Sequence, residues 1–273
     1  MRLKYPATPA VLVAGADFQL ANIKTDSEKH IKSKDAAEKR RDKLRPRLAE
    51  LQENLYAEGK RSLLLVFQAL DTGGKDGAIE KLLTGVNPAG VSVASFKAPS
   101  SEEMGHDFLW RIHARAPRRG HIGVWNRSHY EDVLITRVHG LIDEPTWTAR
   151  YQHINQFEAL LTASGTRILK FFLHISKHEQ AERLQARLDD PAKRWKFDPN
   201  DLKERARWDD YQAAFQDALT HCSTEAAPWF VVPADKKWAR DLAIMETVVA
   251  VLEDMNPQPP AADFDVSKVV IGE

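Results

Sequence analysis

The sequence predicts an α/β fold in which an open parallel sheet carries helices on both faces. Three observations predict it. Apolar runs of strand length recur along the chain and alternate with helical stretches. "SLLLVFQA" (Ser62 to Ala69) is a continuous apolar run, as expected of a parallel strand covered on both faces. A glycine-rich turn follows that run directly and opens a helix. With 273 residues, 43% of them hydrophobic, the chain can fill the core of one α/β domain with additions.

Residues 1 to about 25 show no clear period, contain Pro6 and Pro9, and read as an irregular arm. "PAVLVAGA" (Pro9 to Ala16) is short and lacks a clean cleavage pattern, so no signal peptide is expected. From Ser33 to Gly59 the composition turns charged and helical. Leu44, Leu48, Leu51 and Leu55 mark one apolar face, Gly59 is the expected stop, and Pro46 is expected to kink or divide the helix. "GVSVASF" (Gly90 to Phe96), "HIGVWN" (His121 to Asn126), "RILKFFLHIS" (Arg167 to Ser176) and "PWFVVPAD" (Pro228 to Asp235) complete a set of five buried strands. Helices are expected at residues 76–84, 101–114, 130–138, 146–163, 177–188 and 236–253. The expected organisation is an arm and helical extension over 1–60, a main domain over 61–255 with an interruption at about 187–220, and a loose tail over 256–273. In such sheets ligands sit beyond the carboxyl ends of the strands.

Composition narrows the function classes. Thirty-nine basic and 39 acidic residues cancel, so nothing global points to nucleic acid, and any anionic partner must be held by local clusters. No run approaches the roughly 20 apolar residues of a membrane helix. The single cysteine, Cys222, cannot form an internal disulfide, which fits a reducing, cytoplasmic setting.

"FQALDTGGKDGAIEKLL" (Phe67 to Leu83) has the context of a phosphate-binding loop, a strand before it and a helix after it. It departs from G-x-x-x-x-G-K-[ST] twice. Ala69 stands where the first glycine belongs, and Asp76 where the metal-binding hydroxyl belongs. An ordinary glycine-rich turn is one reading; the buried strand and the lysine favour a phosphate cradle. Gly73 and Gly74 let backbone N–H groups converge on phosphate oxygens, and the helix directs its positive end at the same anion. Lys75 supplies a mobile charge, and Gly77 keeps the first turn slim. Asp71, inside the loop, would repel phosphate unless a cation lay between them, so it is the candidate magnesium ligand. Asp76 suits the helix N-terminus.

A second site strand is expected to end at Asn126, where phosphate-loop enzymes usually carry an aspartate for magnesium. Arg127 could clamp a phosphate bidentately. Glu131 and Asp132 lie near the start of the next helix, either for metal-water or ribose contacts or to complement its dipole. Arg111, Arg115, Arg118, Arg119 and Arg127, with three histidines and no acid between residues 111 and 130, form a local basic excess. Arg111 and Arg115 read equally as a solvated face; Arg118 and Arg119 lean towards an anion path. Between the fourth and fifth strands, residues 187–211 interrupt the α/β rhythm with two prolines and mixed charge. Lys193, Arg194 and Lys196 surround Trp195 there, which suggests a cationic helical flap that closes over phosphates and excludes water. Trp195 and Trp208 are expected to pack within it.

"ALDTGGKDGAIEKLL", "PRRGHIGVWNRSHYEDVLITRVHG", "DDPAKRWKFDPNDLKERARWDDY" and "APWFVVPADKKWAR" together resemble the polyphosphate kinase 2 family, in order and spacing, over roughly residues 30 to 255. The resemblance implies a P-loop kinase-like three-layer αβα sandwich with a five-stranded parallel sheet and a helical lid. It implies Mg²⁺-dependent phosphoryl transfer between inorganic polyphosphate and AMP, ADP or ATP, with Mn²⁺ as a substitute ion, and a homo-oligomer, dimer or tetramer. The "NRSHYED" form resembles the subgroup acting on nucleoside mono- and diphosphates. Carried over, Asp71, Lys75, Asn126 and Arg127 are the catalytic residues, with Asp71 and Asn126 on the metal. Thr72, Gly73, Gly74, Asp76, Gly77, Glu131, Asp132 and Arg137 are the phosphate and nucleotide contacts. Arg118, Arg119, Arg187, Lys193, Arg194 and Lys196 hold polyphosphate. Many family members have aspartate where Asn126 stands, and Glu131 and Asp132 are the natural compensators. The alternatives are an ATP-dependent nucleotide kinase on the same fold and a non-catalytic binding module.

Overall fold

A computed structural model describes residues 12–13, 17–26, 31 and 33–272, with Leu12 and Val13 described by their backbone. Most of the run read as a potential leader, and most of the arm's first half, lie outside the described residues. Within the arm the short strand β1 (Leu12–Val13) pairs antiparallel with the last strand, an addition to the five expected. Two residues are too few to set an alternating pattern, so only the tertiary pairing reveals it.

Helix α1 (Lys34–Glu58) starts at Ser33, whose hydroxyl accepts from the Ala36 N–H at 3.2 Å. It stops at Gly59, which takes the left-handed conformation at φ 63°. Leu48, Leu51 and Leu55 are buried, with Leu44 packed beside them. Pro46 does not divide the helix. It lies on the exposed side of the helix, as does Asp42, the residue whose carbonyl it leaves without a helical donor.

Strand β2 (Ser62–Gln68), buried along its whole length, leads through the glycine loop into α2 (Lys75–Leu83). Then come β3 (Val91–Ser95), the four-residue turns α3 (Ser101–Met104) and α4 (Trp110–His113), and β4 (Ile122–Asn126). The single helix expected at 101–114 is broken because Gly105 ends α3 and the Asp107 carboxylate accepts from Leu109 N–H at 2.9 Å, a local bond that competes with helix. The helix expected at 130–138 is likewise two pieces. A 3₁₀ turn (His129–Val133) capped by Ser128 precedes α5 (Ile135–Val138), and the backbone at Leu134 between them is non-helical. The remaining elements are α6 (Glu144–Ala163), β5 (Thr166–His174), α7 (Lys177–Asp189), α8 (Asn200–Ala206), α9 (Trp208–Cys222), β6 (Trp229–Pro233) and α10 (Lys237–Met255).

The sheet order is β1-β6-β5-β2-β4-β3, and all pairs but β1–β6 are parallel. α1, α2 and α10 cover one face and contribute to one core with alternate residues of β2, β4, β5 and β6. α6, α9 and the 129–138 segment cover the other. β3 is an edge strand and only half covered, unlike the four buried strands beside it. β2 is central. Chain order reverses beside it, which puts the crevice for a ligand at its carboxyl end. Residues 256–272 are mostly exposed and contain the 3₁₀ turn Val266–Lys268. Among the described residues no helix is long and apolar enough to cross a membrane.

Candidate active site

The loop after β2 is shaped by conformations that few residues tolerate. Thr72 has φ 60° and Gly74, which caps α2, has φ 92°. A Cβ on Gly73 would fall 2.5 Å from the Ala69 Cβ and 2.8 Å from the Leu70 carbonyl oxygen. A Cβ on Gly74 would fall 2.2 Å from Arg240 Nη1. Three carbonyls of the loop are taken from behind. Gln180 Nε2 donates to Asp71 O at 3.0 Å, Arg183 Nη1 to Thr72 O at 3.0 Å and Arg240 Nη1 to Gly74 O at 3.1 Å. Arg183 also donates to Glu179 and to Ala234 O, and Arg240 to Asp241, so both buried guanidiniums are fixed at several points. Sequence reading missed all three donors, because "HEQAER" and "KKWARD" look like ordinary charged helix surface.

Lys75 is buried and donates through Nζ to Ala69 O at 2.9 Å. Burial first, and the nearby Arg127 charge second, hold its ammonium below the usual lysine range. Ala69 therefore keeps a place in the loop without being glycine: its carbonyl parks the lysine and its methyl group abuts Gly73. The Thr72 hydroxyl is buried with no hydrogen-bond partner.

β4 delivers Asn126 and Arg127 beside the loop. Asn126 Nδ2 donates to Asp76 Oδ1 at 2.6 Å. Arg127 has φ 63°, bonds back through its N–H to Phe67 O, and its Nη2 meets Asp71 Oδ1 at 2.9 Å. Burial works against the Arg127 charge, but Glu131 and Asp71 hold its guanidinium above its ordinary range. Glu131 is held above the usual carboxylate range by burial, against the pull of Arg127 and Lys75. The Gln68 amide, turned so that both its ends are bonded, donates to Glu131 Oε1 at 3.0 Å and accepts from Ser128.

Asp71, Thr72, Gly73, Gly74, Lys75, Asp76, Asn126 and Arg127 thus line one cleft of about 460 Å³, completed by residues 95–98 of the β3 end and by Arg187, Lys196 and Asp201 of the flap. Arg187 Nη1 donates to Lys196 O and to Asp201 Oδ2, at 2.8 and 3.2 Å, and braces the flap across the opening. On the other side of the Asp71–Arg127 pair lies a narrower pocket. Glu131, Leu134, Trp208, Tyr211 and Phe215 are among the residues that line it.

Several expected residues stand elsewhere. Arg118 and Arg119 precede β4, so they lie at the amino end of the sheet; a five-residue strand at about 3.3 Å per residue separates them from the cleft. Asp132 points away from the cleft between Arg111 and Arg150, each 3.7 Å from its carboxylate, and burial pushes it up to about 6. Arg111 is consequently neither solvated nor on an anion path: it is buried and donates to Lys97 O. Arg137 binds Asp217 and Tyr151 and stacks over Trp147, outside both cavities. Gly77 faces α10, where a Cβ would lie 3.8 Å from Arg240 Nη2, on the flank away from the cleft. Lys193 and Arg194 are on the flap but bonded within it, to Asp190 and Leu188 O. Trp208, expected to pack within the flap, packs against the core instead, and Trp195 is 78% exposed under Lys196. The carboxylate facing Asn126 is Asp76, not Glu131 or Asp132.

Among the described residues no group of three or more His, Cys, Asp or Glu could cage a metal. The donors that do converge are the carboxylates Asp71 and Asp76, the Asn126 amide and the unpartnered Thr72 hydroxyl. That set suits a hard cation that takes its remaining ligands from substrate phosphate and water.

The sequence model of the polyphosphate kinase 2 family matches residues 31–260. The chain is 51% identical over 228 residues to the AMP/ADP-polyphosphate phosphotransferase of Meiothermus ruber, covering 84% of this chain and 85% of that protein. It is 46% identical over 226 residues to the ADP-polyphosphate phosphotransferase of Rhodopseudomonas palustris, covering 78% of each. The fold superposes on the crystal structure of polyphosphate kinase 2 from Arthrobacter aurescens TC1 with a TM-score of 0.93, at 46% identity, over 97% of this chain and 96% of that one.

Proposed function

The chain belongs to the polyphosphate kinase 2 family, and on that premise we propose how its residues carry out phosphoryl transfer between inorganic polyphosphate and AMP or ADP. The reaction forms ADP or ATP and is reversible. The observation that carries the reading is the convergence of Lys75, Arg127 and Asp71 at the carboxyl ends of β2 and β4, under a flap that adds Arg187 and Lys196.

The accepting atom is a phosphate oxygen, already ionised near neutral pH, so no strong general base is required. Catalysis is alignment and charge neutralisation. Lys75 gives up its bond to Ala69 O for a phosphate oxygen, and the anion favours its charged form against the burial that disfavours it. Arg127, fixed to Asp71 through one nitrogen, keeps further N–H donors for the equatorial oxygens of the transferring group. Arg187 and Lys196 hold the polyanion and limit water. Asp71, with Asp76 and Asn126 beside it, would hold Mg²⁺, or Mn²⁺ in its place; the ion supplies charge neutralisation on the reacting phosphates. The buried thiol of Cys222 suits a reducing, cytoplasmic setting, and a homo-oligomer, dimer or tetramer, remains the expected state.

Luciferase detection of ATP formed from ADP, and from AMP, with polyphosphate and Mg²⁺ but no added ATP tests the reading. ATP formation is expected. Turnover only with ATP as donor would identify a nucleotide kinase instead, and nucleotide binding without product a binding module.

A further inference from the structure

Lys170 is out of place by composition. It stands in the middle of β5, in "RILKFFLH", with no solvent exposure. Its Nζ donates to Glu158 Oε2 at 2.5 Å, to Cys222 O at 2.6 Å and to Tyr130 Oη at 2.8 Å, one acceptor for each of its three protons. Glu158, on α6, is equally enclosed, and its other oxygen accepts from Tyr130 Oη at 2.9 Å and from His129 Nε2 at 3.2 Å. Burial alone would raise the Glu158 carboxyl, but the Lys170 charge beside it leaves it below its ordinary range. Burial keeps His129 below its own, hence neutral. The cluster is a closed pair of one anion and one cation.

Such a pair is a poor source of stability, since apolar side chains of the same volume would fill the site without the desolvation cost. What it does is hold a segment with little structure of its own. Residues 128–133 form only a 3₁₀ turn, and they follow directly on Arg127, whose backbone is left-handed. Gln68 grips Ser128, and the Glu158–Lys170 pair grips His129 and Tyr130. The "SHY" of "NRSHYED", which contributes nothing to the lining of the cleft, thereby acquires a role.

We propose that Glu158, Lys170 and Tyr130 are positioning residues for Arg127: they fix the backbone at 128–130 and with it the aim of the guanidinium. The proposal rests on the phosphoryl-transfer reading given above. It involves no charge delivered to the cleft, because the cluster is neutral and acts only through geometry. Misplacement by a fraction of an ångström at a transferring group is enough to slow turnover.

The test is a double-mutant cycle with Tyr130→Phe and Arg127→Ala, using ADP and polyphosphate. Tyr130→Phe removes one hydroxyl and keeps the ring packed. It is expected to lower kcat about tenfold with KM for both substrates within twofold, and to change kcat less than twofold in the Arg127→Ala background. Equal fold-losses in the two backgrounds would overturn the proposal, since a merely structural effect does not depend on Arg127. The double variant Glu158→Gln, Lys170→Met supplies a second arm, and wild-type kcat in that variant would also overturn it. Hydrogen exchange over residues 127–131 needs no turnover: Tyr130→Phe is expected to speed it there and not in β2, and unchanged exchange counts against the proposal. Wild-type turnover alone tests the reaction; only the variant ratios and the exchange rates test the positioning.

Discussion

Arg127 Nη2 and Asp71 Oδ1 meet at 2.9 Å across the carboxyl end of the sheet, and both side chains are partly exposed to the cleft. The pair ties the end of β4 to the glycine loop and sets a cation and an anion side by side where the proposed reaction brings phosphate. Neither the pair nor Lys75 is needed to complete the apolar core. Asp71→Asn and Lys75→Ala are therefore each expected to lower kcat by about a hundredfold, roughly 3 kcal/mol of transition-state stabilisation. Melting temperatures should stay within a few degrees of the parent. Steady-state kinetics with ADP and polyphosphate, alongside thermal melts, check both parts, and near-parental turnover in Lys75→Ala would sink its assignment.

The glycine requirement is testable at Gly74. Its φ of 92° and the 2.2 Å approach of Arg240 Nη1 to a hypothetical Cβ leave no room for alanine without displacing the guanidinium that holds the loop carbonyl. Gly74→Ala is expected to lose activity by at least tenfold and to destabilise the fold by about 1–3 kcal/mol. Urea titration and the luciferase assay measure the two effects. A variant as stable and as active as the parent would mean that the loop is not held in this shape.

Asn126 donates to Asp76 at 2.6 Å, so an aspartate at 126 would oppose two carboxylates. Asn126→Asp is expected to lower the melting temperature in the presence of a chelator and to recover it on addition of Mg²⁺, as the ion relieves the repulsion. Equal melting temperatures with and without Mg²⁺ would remove Asn126 and Asp76 from the candidate metal ligands.

Lys75 gives a pH dependence with a definite sign. Burial and Arg127 hold its ammonium below the usual lysine range in the free protein, so the charged form is lost as pH rises through that lowered value. A bound polyanion favours the charged form and moves the loss to higher pH. The alkaline limb of kcat/KM for polyphosphate, which reports the free enzyme, should therefore lie below that of kcat. Coincident limbs in the two profiles would show that Lys75 does not titrate against the substrate.

Pro46 sits inside the unbroken α1 on its exposed side. It removes a helical hydrogen bond without contributing to the core, so Pro46→Ala is expected to stabilise the protein by about 1–3 kcal/mol. Chemical denaturation measures it, and a loss of stability would reveal a packing role for the proline ring.

Four of the strands were legible because burial on both faces writes itself into composition, and all five expected strands lie within two residues of the observed ones at either end. The loop and its partner strand were legible because a strand, two glycines and a lysine carry their mechanism locally. What escaped depended on distance or direction. Arg183 and Arg240 bond to the loop from over a hundred residues downstream, and nothing in their own neighbourhood separates them from solvated helix charges. Arg118 and Arg119 lie next in sequence to the site strand, but at its wrong end, since charge clustering along a chain ignores the polarity of a strand. Arg111 and Asp132, both read as surface or site residues, instead face one another at 3.7 Å behind the site. The division allowed for at Pro46 did not occur, and the single helix expected at 130–138 did not form, because there side chains bonded to the backbone first.

The three outside bonds that hold the loop carbonyls come from α7 and α10, both of which follow β5 in the chain. The phosphate loop is consequently not a portable cassette. Grafted onto another strand and helix, "LDTGGKD" would keep its glycines and its lysine but lose the donors that turn its carbonyls outward. A fragment that stopped before α7 would contain every letter of the motif and no cradle. The loop's shape therefore depends on helices whose donors lie more than a hundred residues downstream, and it is complete only when both α7 and α10 are packed against it.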